Sequence, residues 1–166
     1  YATEPGNYLA FFSSFEYLQQ VAARLADTHP AIVQWRQAPG MDEAQRHAFL
    51  QRFELDGRGI GFAVLGGAFA EGVDLPGTRL IGAFVATLGL PQVNPVNEQI
   101  KQRMAQLFGA GFDYTYLYPG VQKVIQAAGR VIRGTTDRGM VMLIDERFAE
   151  PRVQSMFPSW WAPQQK

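Results

Sequence analysis

The chain has 166 residues, with 15 Lys+Arg against 15 Asp+Glu and a formal net charge of zero. That length suits one domain with a real core, and 47% hydrophobic with 18% charged residues is a globular composition rather than a disordered one. Cysteine is absent, which excludes disulfides, thiolate metal sites, iron–sulfur ligation and a cysteine nucleophile within the chain. Two histidines, His29 and His47, argue against a multi-histidine metal site. No apolar run approaches the ~20 residues of a membrane helix, and the start at Tyr1 lacks a basic-then-apolar leader, so no membrane partner is expected. Neutral overall charge makes any nucleic-acid binding local.

Five short apolar runs read as strands: Tyr8–Phe12, Ala31–Trp35, Ile60–Leu65, Leu80–Ala86 and Met140–Ile144. They are nearly continuously apolar rather than alternating, the pattern of strands covered on both faces. After the first, Ser13 opens a helix with Glu16 three residues on, a capping-box spacing, and an inward stripe of Phe15, Leu18, Val21, Ala22 and Leu25. A second helix starts near Asp42 and runs to about Leu55, burying Phe49 and Phe53. Beyond Ala86, Leu88-Gly-Leu-Pro-Gln-Val-Asn-Pro95 is an extended segment held open by two prolines. A helix over Val96–Phe108, a glycine- and aromatic-rich stretch over Gly109–Tyr118, and a strong helix from Gly120 to Arg133 follow. The alternation predicts an α/β fold with a mostly parallel sheet and helices on both faces.

The helix after Gly120 carries the most information. At about 100° per residue, Val121, Val124, Ile125, Ala128, Val131 and Ile132 share one arc of about 120°. Gln126, Gly129, Arg130 and Arg133 centre on the opposite side. One face is core; the other presents an amide and two guanidiniums around a glycine. Gly129 costs the helix about 1 kcal/mol relative to Ala, which is easiest to understand if something approaches the backbone there. Gly134 suits the position just past the helix. Without further context the arginines are also an ordinary solvated face.

The Gly66–Asp74 loop follows a buried strand, so its glycines let backbone N–H groups approach a ligand while Glu71 and Asp74 offer acceptors or caps. Gly-Gly and Gly-x-Asp are equally plain turn chemistry. Two segments imitate nucleotide motifs. Asp42-Glu-Ala-Gln45 follows Pro39-Gly40 rather than a strand and reads as a helix N-cap. Met142-Leu-Ile-Asp145-Glu146 looks like a Walker B strand, yet none of Lys101, Lys123 or Lys166 completes a phosphate loop, so that reading fails. His29 and His47 read as surface residues. Trp160-Trp161 reads as a tail packed on the domain.

The string Gln126-Ala-Ala-Gly-Arg-Val-Ile-Arg133-Gly134 resembles motif VI of superfamily-two helicases, in the form of the DinG/XPD group. Phe11-Phe-Ser-Ser-Phe15 looks like motif IV, and Gly66 to Leu75 like motif V. Leu88-Gly-Leu-Pro91, Thr136-Asp-Arg-Gly139 and Asp145-Glu-Arg-Phe148 fall in the order the group shows. Gly57–Gly61 and Gln92–Tyr118 do not align residue by residue. The resemblance covers almost the whole chain and is nearest to bacterial DinG-type helicases.

This resemblance implies that residues 1–166 form a single domain, the second RecA-like motor domain of a helicase whose first motor domain lies outside the chain. It implies an ATP-driven enzyme, a DNA-dependent ATPase moving 5′→3′ on single-stranded DNA, bacterial, cytoplasmic and active in DNA repair. ATP and Mg²⁺ would sit between this domain and the first RecA-like domain of the same polypeptide, which supplies the phosphate-binding lysine; the isolated chain would be inactive. Gln126, Arg130 and Arg133 would be catalytic, reaching the γ-phosphate, where a permanently charged planar guanidinium suits phosphoryl transfer. Glu71, Gly72, Asp74 and Gly129 would contact ATP, and Ser13 and Ser14 the DNA backbone, a role compatible with capping. An iron–sulfur cluster, frequent in the group's first domain, is not in this chain. The competing reading is a non-catalytic nucleotide- or anion-binding α/β module using the Gly66–Asp74 loop. A Rossmann enzyme is weaker, because no G-x-G-x-x-G follows a strand.

Overall fold

The computed structural model describes residues 1, 3–69, 74–132, 139–161 and 163–164. Five strands, β1 (Asn7–Phe12), β2 (Gln34–Arg36), β3 (Gly59–Val64), β4 (Gly82–Val85) and β5 (Met140–Leu143), pair in the order β2-β3-β1-β4-β5, every pair parallel. The helices are α1 (Phe15–Thr28), α2 (Glu43–Gln51), α3 (Pro95–Phe108), α4 (Tyr118–Ala128) and the short α5 (Pro151–Gln154).

β1 is central and buried throughout, and its alternate residues serve two cores. Tyr8, Ala10 and Phe12 pack with Leu18 and Ala22 of α1 and with Ile60 and Phe62 of β3. Leu9 and Phe11 face the other way, into a larger cluster with Phe49 of α2 and Val121, Val124 and Ala127 of α4. The α/β sheet with helices on both faces is therefore present. At the β5 edge the cover runs out: Val141 and Leu143 pack inward, but Met142 and Ile144 are exposed.

Several boundaries depart from the sequence expectations. Ser14, not Ser13, caps α1: its Oγ accepts the Tyr17 N–H at 3.2 Å and its carbonyl accepts the first helical bond from Leu18. Glu16 falls in the first turn, favourable to the dipole, without forming the expected box. The capping box belongs to α2 instead, where Asp42 and Gln45 exchange bonds of 2.8 and 2.9 Å. That helix stops at Gln51 rather than Leu55, although Phe53 is buried in the turn that follows. β2 starts at Gln34 rather than Ala31 because the chain after Pro30 is still turning, with Ile32 bonded back to His29.

The largest departure lies around α4. The glycine- and aromatic-rich stretch over Gly109–Tyr118, to which the sequence assigned no element, is mostly helical: Gly109 ends α3 in the left-handed conformation, and the backbone winds into a π-helical turn over Asp113–Leu117 that runs straight into α4. At the other end α4 closes at Ala128, not Arg133. Arg130 and Val131 bond to carbonyls three residues back, the tightening usual at a helix end. Arg133 and Gly134 lie outside the described residues.

Candidate functional site

The C-terminal ends of β1, β3, β4 and β5 form one edge of the sheet. The ladders run on past the strands there, with Leu65 N–H donating to Phe12 at 2.9 Å, Ala86 to Phe11 at 2.9 Å and Ile144 to Val85 at 2.8 Å. Ser13 and Ser14 stand on this carboxyl edge, both exposed, where β1 becomes α1. Beside them β3 turns at Gly66, whose φ of +77° is a glycine conformation. The stem of Lys123 crosses that turn so closely that a Cβ on Gly66 would lie 3.0 Å from Lys123 Cδ. Among the described residues Lys123 has neither a hydrogen bond nor an ion pair, and its sequence position carried no sign of this placement beyond its charge.

α4 also begins at the carboxyl edge. Gly120 in its first turn packs on the Leu88 carbonyl, and Gly89, with φ +72°, has the Gly120 carbonyl where a Cβ would go. From there α4 runs back under the sheet for 11 residues, about 16 Å. It emerges at the opposite, amino edge, where Val131 packs on Gly139 beside the start of β5. The structure thus puts the predicted residues at two places rather than one. Ser13 and Ser14 sit on the carboxyl edge; Gln126, Gly129 and Arg130 sit toward the amino edge, all three half-buried.

Arg130 is therefore more sheltered than a helical-wheel reading suggests, because the turn after Ala128 rotates it away from ideal helical spacing. Val121, Val124, Ala128 and Val131 are buried as expected, and Ile125 and Ile132 pack at the core's margin. Ala127 is also fully buried, so α4 is embedded over a wider arc than its valine stripe indicates.

Gly129 has φ −64°, and among the described residues a Cβ there would come no nearer than 3.4 Å to any neighbour. Nothing among those residues requires a glycine at that position.

Asp74 is exposed and followed by buried Leu75. Three residues on, a 3-10 turn over Gly77–Arg79 is tied to the amino side of β3: Thr78 Oγ1 accepts the Asp56 N–H at 3.2 Å, and Arg79 Nε donates to the Phe53 carbonyl at 2.8 Å. The chain from β3 to β4 thus crosses from one edge to the other. Glu71 and Gly72 lie outside the described residues.

The Walker-like Asp145 has a structural task. It caps a 3-10 turn over Glu146–Ala149 and grips Arg147 through two bonds, Nε to Oδ1 at 2.8 Å and a terminal nitrogen to Oδ2 at 2.6 Å. That guanidinium, together with N–H donors from Arg147 and Leu88, holds the Asp145 carboxyl below the ordinary carboxylate range despite partial burial. Among the described residues no three His, Asp or Glu side chains come together to hold a metal ion. None of their helices is long and apolar enough to cross a membrane. His29 and His47 are exposed, and of the tryptophan pair Trp161 stacks near Phe157 while Trp160 faces solvent.

A parallel sheet in the order 2-3-1-4-5, backed by helices on both faces, is the RecA-like class of α/β domain. The chain belongs to the Helicase C-terminal domain family, whose model matches residues 1–164. It is 30% identical over 161 residues to a probable ATP-dependent helicase of Methanocaldococcus jannaschii, covering 87% of this chain and 24% of the relative. A putative ATP-dependent DNA helicase, DDX11-like protein 8 of Homo sapiens, is 28% identical over 185 residues, covering 93% of this chain and 20% of that protein. A solved apo XPD structure superposes with a TM-score of 0.73 at 19% identity, over 93% of this chain and 31% of the other. The chain thus spans a quarter or less of these curated relatives' length.

Proposed function

We propose that this domain is the second motor half of an ATP-dependent DNA helicase moving 5′→3′ on a single strand. Nucleotide would meet the amino edge and DNA the carboxyl edge. In this reading Arg130 and Gln126, one helical turn apart, face the γ-phosphate together with Arg133, while Gly129, Asp74, Glu71 and Gly72 line the nucleotide side. Ser13, Ser14 and the first amides of α1 hold a DNA phosphate. ATP supplies the phosphoryl group, and its Mg²⁺ and phosphate-cradling lysine come from the first RecA-like domain of the same polypeptide. This chain's part is to place a guanidinium where charge develops and to exclude water around it.

Gly129 is the observation that carries the reading. No described residue bars a side chain there, so the bare backbone next to Arg130 makes sense as an approach for something outside the domain. Helicase relatives with ATP dependence in their names support a nucleotide as that something.

The test is DNA-stimulated ATPase of the full-length polypeptide beside thermal unfolding of this chain. Arg130→Ala should lower kcat by about 10³-fold or more, and Arg130→Lys should recover little, since an ammonium cannot reproduce the guanidinium fork. Val124→Ala, in the core, should instead lose about 1–3 kcal/mol of stability, with activity following the folded fraction. Intact ATPase in Arg130→Ala would sink the assignment.

A further inference from the structure

The hairpin formed by α3 and the π-helical turn stands apart from the sheet. No residue of α3 is buried, and the hairpin leaves β4 and returns to α4 at the carboxyl edge. It carries four large exposed rings: Phe108 at 58%, Phe112 at 48%, Tyr114 at 43% and, where α4 begins, Tyr118 at 41% accessibility. Three of them touch in sequence, Phe108 to Tyr114 at 4.8 Å between centroids and Tyr114 to Tyr118 at 5.2 Å, so these three form one continuous aromatic surface.

The hairpin is braced from within. Tyr116 is buried and donates its hydroxyl to Glu98 at 2.8 Å, while Lys101 pairs with the other oxygen of Glu98 at 2.7 Å. These two donors hold the Glu98 carboxyl below its ordinary range. Asp113 pairs with Arg152. Both carboxylates of the hairpin are thus neutralised locally. Arg103 on α3 and Lys123 on α4 have no acidic partner among the described residues, leaving one uncompensated cation on each of the two helices that the aromatic segment joins. Exposed rings together with uncompensated cations are the composition of a single-strand platform, where bases stack and phosphates find the charges. Ser13 and Ser14 stand on the same carboxyl edge from which the hairpin leaves the sheet.

We infer that this hairpin is a base-stacking platform for single-stranded nucleic acid, with Phe108, Tyr114 and Tyr118 receiving bases and Arg103 and Lys123 receiving the flanking phosphates. The inference rests on the carboxyl edge being the strand's side of the domain, as proposed above.

The experiment is fluorescence anisotropy of this chain with two labelled probes of about 12 nucleotides, an oligothymidylate and a strand of the same length made of abasic sites. The wild-type chain should prefer the probe with bases. Tyr114→Ala and Tyr118→Ala should each weaken that probe about fivefold or more, leave the abasic probe unchanged and so erase the preference. Tyr118→Phe should retain it. Arg103→Gln should weaken both probes equally and flatten the salt dependence by about 0.7, the contribution of one phosphate contact on a single strand. Circular dichroism and thermal unfolding of each variant exclude misfolding as the cause. If the tyrosine variants bind both probes like the wild type, the platform is wrong while the carboxyl-edge reading stands. If the wild type binds neither probe, both fall. If sedimentation shows self-association through the hairpin and no base preference, the rings serve a protein contact and the platform is overturned.

Discussion

Gly66 and Gly129 look interchangeable on paper and have opposite reasons to be glycine. Gly66 holds φ +77° beneath the Lys123 stem, so a side chain there meets both backbone strain and a neighbour. Gly66→Ala should cost about 1–2 kcal/mol in thermal unfolding, from the left-handed backbone alone. Gly129 has helical φ and, among the described residues, room for a methyl group at ordinary contact distance, so Gly129→Ala should leave the melting temperature unchanged or raise stability by about 0.4–1 kcal/mol by restricting the unfolded chain. On the proposed function the full-length ATPase should nevertheless fall with Gly129→Ala, because the new methyl group would stand where the nucleotide or the facing domain is to approach. A stable, fully active Gly129→Ala enzyme would show that nothing comes that close.

Between elements, Asp145 joins the end of β5 to the loop after β4, through Arg147 and the Leu88 N–H. Its folded pKa is depressed below the unfolded value, so its contribution is complete above about pH 4 and is lost as pH falls through the folded pKa. In acid titrations followed by circular dichroism, Asp145→Asn should start less stable at neutral pH and lose less stability on acidification than the wild type. Parallel slopes would mean that other carboxylates dominate. This clamp also shows what was legible beforehand. Strand positions, the two-sided core and the valine stripe of α4 follow from apolar periodicity, and all are present. Asp145 could be freed from a Walker role by the missing phosphate lysine, but its bonds to Arg147 and Leu88 depend on folding. The cap of α1 was misplaced by one residue because Ser13 and Ser14 are chemically alike. The stretch over 109–118 shows no helical signal in sequence because glycines and aromatics are weak helix formers, and packing of Tyr116 and Leu117 overrides that propensity. α4 ends before the expected Arg133 because Arg130 and Val131 keep helical character in sequence while their hydrogen bonds tighten to three residues.

At the scale of the whole molecule, α4 is a rigid strut whose two ends serve different edges, with its middle locked in the core by Val124 and Ala127. A domain built this way can report nucleotide state at one edge to a strand at the other only if something holds the nucleotide, and this chain has no phosphate loop. Alone it should therefore behave as a half-site. Its net charge is zero, and in the proposed reading the cations it offers a strand are Lys123 and Arg103, about two phosphates, which predicts a slope of about −1.4 in log K against log salt on a single strand. The dissociation constant at physiological salt should be weaker than about 10⁻⁶ M. A non-hydrolysable ATP analogue should not change it, nor should Arg130→Ala, and no ATP turnover should accompany the chain through purification. In the full-length polypeptide the analogue should alter strand affinity, and Arg130→Ala should abolish that response while sparing binding without nucleotide. Titration of a labelled single strand at several salt concentrations, with and without the analogue, measures all of these. A constant below about 10⁻⁸ M for the chain alone, or a nucleotide response in it, would show that the domain holds a complete site and is not half of a motor.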